Sequence, residues 1–171
     1  MRHYRKGFTL IEAIIYIALF GLLIGGGVVA AYNIFEGAGR GQTHAMLQEE
    51  GNFLLGKINW TLSGVQSISS PTGGTTGTSL IVTKWDTTIG NPINIALQGM
   101  DMLLKTGSNP AGDVLNNSNV QISKLYFLHT LSSGSGTNPE TIEFSFIVSA
   151  RTPNGLVISQ QFATTTVSLR R

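Results

Sequence analysis

One carboxylate stands where its chemistry is constrained. Glu12 opens an uncharged run of twenty-three residues that closes at Glu36. An ionisable group in an apolar span is costly, about 2.5–3.5 kcal/mol for Asp, Lys or Arg at the centre of a membrane and less near the ends. Such a group needs a partner of opposite charge. The other reactive side chains are scattered. His3, His44 and His129 are isolated and have no ligand spacing that suggests zinc. Asp86, Asp101, Asp113, Glu140 and Glu143 are the carboxylates available to a calcium ion, yet no stretch alternates them. Cysteine is absent, which removes disulfides, thiolate zinc sites and cysteine nucleophiles. Gly-x-Ser-x-Gly, a phosphate loop and a His-Glu-x-x-His helix are missing too, so an enzyme is not expected and no catalytic, cofactor or metal residue is assigned.

The element that positions Glu12 is long and greasy. Ala13 to Tyr32 is twenty residues, which as a helix extends roughly 30 Å, the thickness of a bilayer's hydrocarbon core. Arg2, Arg5 and Lys6 precede it and the next basic residue is Arg40, a bias that predicts a cytoplasmic amino terminus with the remainder outside. A secretory signal peptide or a plain signal anchor is the simpler alternative, although a cleavable signal has a shorter apolar stretch. Without the three leading cations, eight basic residues face nine acidic ones, and they are spread widely apart from Arg170-Arg171. Nucleic acid is therefore not expected as a partner.

Lys6-Gly7-Phe8-Thr9-Leu10-Ile11-Glu12 resembles the cleavage motif of type IV prepilins and type II secretion pseudopilins. The resemblance implies that a prepilin peptidase cuts after Gly7 and N-methylates Phe8, leaving Met1–Gly7 as a short basic leader. It also implies that Glu12 meets the amino group of a neighbouring subunit's first residue, so that Phe8 and Glu12 carry subunit assembly. An amine and a carboxylate in a low-dielectric core each need the other to offset desolvation, which fixes register more surely than it adds stability. Keeping Glu12 argues against the tip-capping pseudopilins that often lack this glutamate. Major pilins often carry a proline in the span; here Gly25-Gly26-Gly27 stands instead. Each glycine costs about 1 kcal/mol relative to alanine in a helix, and local unwinding on assembly is the expectation. Gly21 and Gly25 also form a Gly-x-x-x-Gly pair.

Gly37-Ala38-Gly39-Arg40-Gly41 predicts a bend. Beyond it, Leu47, Leu54, Ile58, Thr61, Leu62 and Val65 recur at helical spacings, so 42–65 is expected as an amphipathic helix that needs a sheet to cover it. Ser69–Ser79 is expected as a loop, followed by strands at Leu80–Trp85 and Ile93–Leu97, an edge segment at Met100–Leu104 and a polar loop at Lys105–Asn119. Val120–His129 changes apolar phase near Lys124, which predicts a bulge or a strand covered on both faces. Ile142, Phe144, Phe146, Val148 and Ala150 alternate with mostly polar residues; Pro153-Asn154-Gly155 turns the chain, and Leu156–Leu169 returns as the hairpin partner.

The expected fold is α+β: a long amino-terminal helix whose outer half packs on four or five mainly antiparallel strands, as in pilins. The expected organisation is a leader at 1–7, a filament-core span at 8–35, and an extracytoplasmic domain at 36–171 with its sheet over 80–169. The expected function is a structural pilin or pseudopilin, held in the inner membrane before assembly and in an extracytoplasmic filament after it. Its partners would be the prepilin peptidase, other pilin or pseudopilin subunits, and an inner-membrane platform with its ATPase; no cofactor is implied. The alternative is a membrane-tethered binding protein that does not polymerise.

Overall fold

The computed structural model describes residues 7–88, 90–132 and 140–168, with the side chains after Ala163 left aside. Most of the leader, including Arg2, His3, Arg5 and Lys6, lies outside the described residues, as do Leu169, Arg170 and Arg171. The chain divides into two compact units, Met1–Gly41 and Gln42–Arg171.

In the first unit, helix α1 (Leu10–Leu62) begins; it continues into the second. Gly25-Gly26-Gly27 and Gly37–Gly41 are all helical. The Arg40 guanidinium donates to Glu36 Oε1 at 2.6 Å, one turn back, bridging the glycine-rich stretch on the exposed surface. Such i,i+4 pairs contribute about 0.2–0.5 kcal/mol, in the direction that offsets poor propensity.

In the second unit, α1 buries Thr43, Leu47, Gly51, Leu54, Ile58, Thr61 and Leu62, a stripe at spacings of three and four that faces a sheet core. The helix stops at Leu62 rather than near Val65. Gly64 adopts the left-handed conformation (φ 64°) that commonly closes a helix, and Val65 opens a strand instead of a further turn. α1 has no basic residue in its last turn, and Lys84 supplies that charge from a strand. The Ser63 amide, the Ser63 hydroxyl and the Lys84 ammonium donate to the Trp60 carbonyl at 3.2, 2.7 and 2.6 Å. A cation there complements the negative end of the helix dipole.

The strands are β1 (Val65–Ser70), β2 (Thr76–Gly77), β3 (Ser79–Lys84), β4 (Ile93–Gln98), β5 (Asp101–Thr106), β6 (Asn109–Val114), β7 (Val120–Thr130), β8 (Thr141–Arg151) and β9 (Val157–Ser168). All pairings are antiparallel, in two sheets ordered β1-β3-β4-β5-β6 and β2-β7-β8-β9. The α+β class with a helix on antiparallel strands is as expected, with the strands shared between a five-stranded and a four-stranded sheet.

Four segments differ from the sequence reading. Ser69 and Ser70 belong to β1, and the rest of the expected 69–79 loop contributes β2 and the start of β3. The Met100–Leu104 segment is not at an edge, because β5 lies between β4 and β6. Within the expected polar loop, Asn109–Val114 forms β6, which holds Pro110 without cost to the sheet because it is an edge strand. Finally, Ser145 is buried along with the apolar face of β8, accepting a bond from Gln161 Nε2 at 3.3 Å. The bulge near Lys124 is present: that residue has φ 51°, the β7–β8 register shifts between Ser123 and Tyr126, and the buried positions change from Val120 and Ile122 to Leu125 and Phe127.

One hydrophobic cluster joins the helix stripe to both sheets, through Leu80, Val82, Ile93, Ile95 and Met102 on one and Ile122, Phe127, Phe144 and Phe146 on the other. Phe146 stacks on Phe162 with ring centroids 5.6 Å apart. Asn116 ties the sheets at a polar point: its Oδ1 accepts from the Met102 amide, and its Nδ2 donates to the Val120 carbonyl, both at 2.8 Å.

Candidate functional site

The candidate site is built by where α1 starts. Gly7, Phe8 and Thr9 precede the first helical turn. Thr9 occupies the N-cap position: its carbonyl accepts the first intrahelical bond from the Ala13 amide at 3.2 Å, and its hydroxyl oxygen accepts a long bond from the Glu12 amide at 3.4 Å. Thr9-Leu10-Ile11-Glu12 thus has the spacing of a capping box, with a hydroxyl at the cap and a carboxylate three residues on. The sequence carries this signal as a Thr-x-x-Glu before an apolar run.

Two consequences follow for chemistry. The cap fixes the helix start two residues past the Gly7–Phe8 peptide bond, so that bond stays outside the helix. Gly7 is exposed with open space on its side-chain side, and Phe8 is 77% exposed, the kind of accessible backbone that proteases cut. Glu12 lies in the first turn, where a negative charge gains about 0.3–1 kcal/mol from the helix dipole at the surface. It is partly exposed and has no ion pair among the described residues.

Phe8 packs its ring edge-on to Tyr16, with centroids 6.1 Å apart, which brings Phe8 alongside the helix. Glu12 and Tyr16, four residues apart within α1, share one face of the helix. Lys6 is outside the described residues, while Leu10 and Ile11 are exposed helical residues with no core to enter.

From Phe8 to Phe35 every large apolar side chain is exposed, and the stretch is apolar enough to cross a membrane. Water is a poor solvent for so wide a surface, and exposed apolar area beyond a few hundred Å² marks an interaction surface. A Cβ added at Gly21, Gly25, Gly26 or Gly27 would meet nothing within 4 Å, so no close approach within the chain accounts for these glycines.

The other candidate residues do not converge. Asp86 is bonded to Thr88, Asp101 to Asn116, and Asp113 to Asn109. His129 is buried, with Nδ1 2.9 Å from the Pro71 carbonyl and Nε2 2.8 Å from Glu140 Oε1, where it pins two loops. His44 is exposed on α1. Among the described residues no three His, Asp or Glu side chains gather as metal ligands would.

Residues 2–28 match the family described as the prokaryotic N-terminal methylation motif. No curated protein and no solved structure matches the chain. The motif is typical of type IV pilins and type II pseudopilins, and it implies processing by a prepilin peptidase and a structural, non-enzymatic role. An apolar amino-terminal helix is consistent with membrane anchoring of such a precursor.

Proposed function

We propose that this chain is a structural subunit, a pilin or pseudopilin, of a filament of the type IV pilus or type II secretion kind, and not an enzyme. In this reading residues 1–7 are a leader removed by cleavage between Gly7 and Phe8, and the new Phe8 amine is methylated. Residues 8–35 hold the precursor in the inner membrane with its amino terminus cytoplasmic, then become filament core. Residues 36–171 are extracytoplasmic throughout.

The observation that carries this reading is the unbroken exposed apolar surface from Phe8 to Phe35 with a carboxylate at its start. Moving it from lipid to a bundle of like helices keeps that surface out of water. It also gives Glu12 the counter-charge that lipid lacks, the amine of a neighbour's Phe8. An inner-membrane platform and its ATPase would drive the transfer. A plain membrane tether, the competing reading, would use the same apolar length but has no need of Gly7 or Glu12.

Co-expression with a prepilin peptidase tests the proposal. The chain should lose seven residues, Met1–Gly7, and intact-mass and fragment spectra should place one methyl group on the Phe8 nitrogen. A chain that keeps its amino terminus in the presence of active peptidase would favour the tether.

A further inference from the structure

The chain has two tryptophans, and both lie on one groove. Trp60 stands in the last turn of α1 and Trp85 directly follows β3. With Ser63, Gly64, Lys84 and Asp86 they line an open depression of about 320 Å³ on the second unit. Tryptophan is highly buried on average, yet Trp85 is 65% exposed and Trp60 38%.

The groove is rigidly built. Lys84 is only 5% exposed; its ammonium donates to the Trp60 carbonyl at 2.6 Å and sits 4.0 Å from the centroid of the Trp60 ring. The Asn91 side chain holds the Lys84 backbone at both ends, accepting from its amide and donating to its carbonyl at 2.9 Å each. The Trp85 amide donates to the Gly64 carbonyl at 3.2 Å. Asp86 Oδ1 accepts from the Thr88 amide at 2.9 Å and from its hydroxyl at 2.6 Å, while Oδ2 has no partner among the described residues. The Thr88 hydroxyl first, then the Thr88 amide, hold the Asp86 carboxyl below its ordinary pKa, so it is an acceptor over the physiological range.

An exposed indole, a fixed carboxylate acceptor and a fixed ammonium within one shallow groove suit a flat ring that is apolar on its face and hydroxylated at its rim. We infer that this groove binds a pyranose ring of an oligosaccharide, its C–H face stacked on Trp85 and its hydroxyls donating to Asp86. A second copy of this chain is the less favoured occupant. Stable protein contacts cover about 800 Å² per partner around a centre depleted in charge, whereas here a lysine and an aspartate line the groove together with the two indoles. Sugar hydroxyls satisfy such charges and a protein's apolar anchor leaves them bare. The inference does not rest on filament assembly, because an uncut chain would carry the same groove.

Intrinsic fluorescence tests it directly, since both tryptophans report from the groove and no other indole contributes. The full chain, in a zwitterionic detergent with no sugar head group, is titrated with chitotriose and with cellotriose. A saturable emission change is expected. Trp85→Ala and, separately, Asp86→Asn should each weaken binding about tenfold or more, equivalent to about 1.4 kcal/mol, with far-UV circular dichroism unchanged. A response to chitotriose alone assigns the source to an N-acetylated wall glycan, a response to cellotriose alone to an unmodified polysaccharide, and a response to both to the ring itself. No saturable change with either sugar up to about 10 mM overturns the inference. So does binding that Asp86→Asn and Trp85→Ala leave intact, or an emission shift that follows protein concentration without sugar.

Discussion

The ring of Phe162, on β9, occupies the space that a Cβ on Gly51 of α1 would need. Gly51 is buried in the middle of the helix stripe, and Phe162 stacks in turn on Phe146 of β8. The glycine therefore sets how closely the second sheet approaches the helix. Gly51→Ala gains about 1 kcal/mol of helix propensity but forces a buried ring to move, a class of change that costs about 1–3 kcal/mol. Net destabilisation is the expected result in denaturant unfolding of the detergent-solubilised chain. Gly56→Ala is the control: nothing lies within 4 Å of its Cβ, so it should stabilise by up to about 1 kcal/mol. Equal effects from the two variants would contradict the packing account.

Glu12→Gln keeps the size of the side chain and removes its charge. Peptidase processing is expected to survive, because the Gly7–Phe8 bond lies outside the helix. Incorporation into filaments is expected to fall sharply, since leaving one member of a buried ion pair alone costs about 3–5 kcal/mol. Filament yield measured against processed subunit tests this, and normal yield would remove the assembly role of the carboxylate. Thr9→Ala, by contrast, deletes the helix cap, worth about 1 kcal/mol, and should show as faster amide exchange in the first turn.

Substituting alanine for Gly26 and Gly27 together should raise helix stability in detergent by about 2 kcal/mol at most, as both sites have room for a methyl group. If assembly requires local unwinding at Gly25–Gly27, the same variant should assemble less. A filament map in which this stretch is continuously helical would rule the unwinding out.

Asp86 carries a pH signature. Its carboxyl is depressed from the ordinary 3.8 by the Thr88 hydroxyl, then the Thr88 amide. A carboxyl depressed in the folded state contributes stability that is present above the unfolded value and lost as pH falls through the folded one. Carbon-detected titration should place the Asp86 midpoint below 3.8, and Thr88→Val should move it upward. An unchanged midpoint in that variant would remove Thr88 as the cause.

What the sequence made legible and what it hid divide by the distance over which the determining contacts act. The charge-free run, the Gly7-Phe8 motif and the β8–β9 hairpin are local patterns, visible in neighbouring residues. Val65 misleads because it lies three residues past Leu62 and keeps the helical spacing; only the positive φ of Gly64 breaks it. β6 contains Asn109-Pro110 and Gly112-Asp113, turn chemistry in isolation, and exists because β5 offers it an edge. β2 is two residues long and is defined by its partners Phe127 and Leu128. Lys84 has no local mark of its place at the helix terminus, as its partner Trp60 is 24 residues away. At the amino terminus the cap is legible in Thr9 and Glu12, because both its residues lie within one helical turn.

Among the described residues, every apolar side chain of the buried cluster comes after Thr43. A head whose interior borrows nothing from the greasy stem can travel fully formed from one host medium to another. In the proposed filament subunit, extraction from the bilayer would then need no partial melting of the cargo, and stems of different sequence could be exchanged beneath the same head without disturbing its interior.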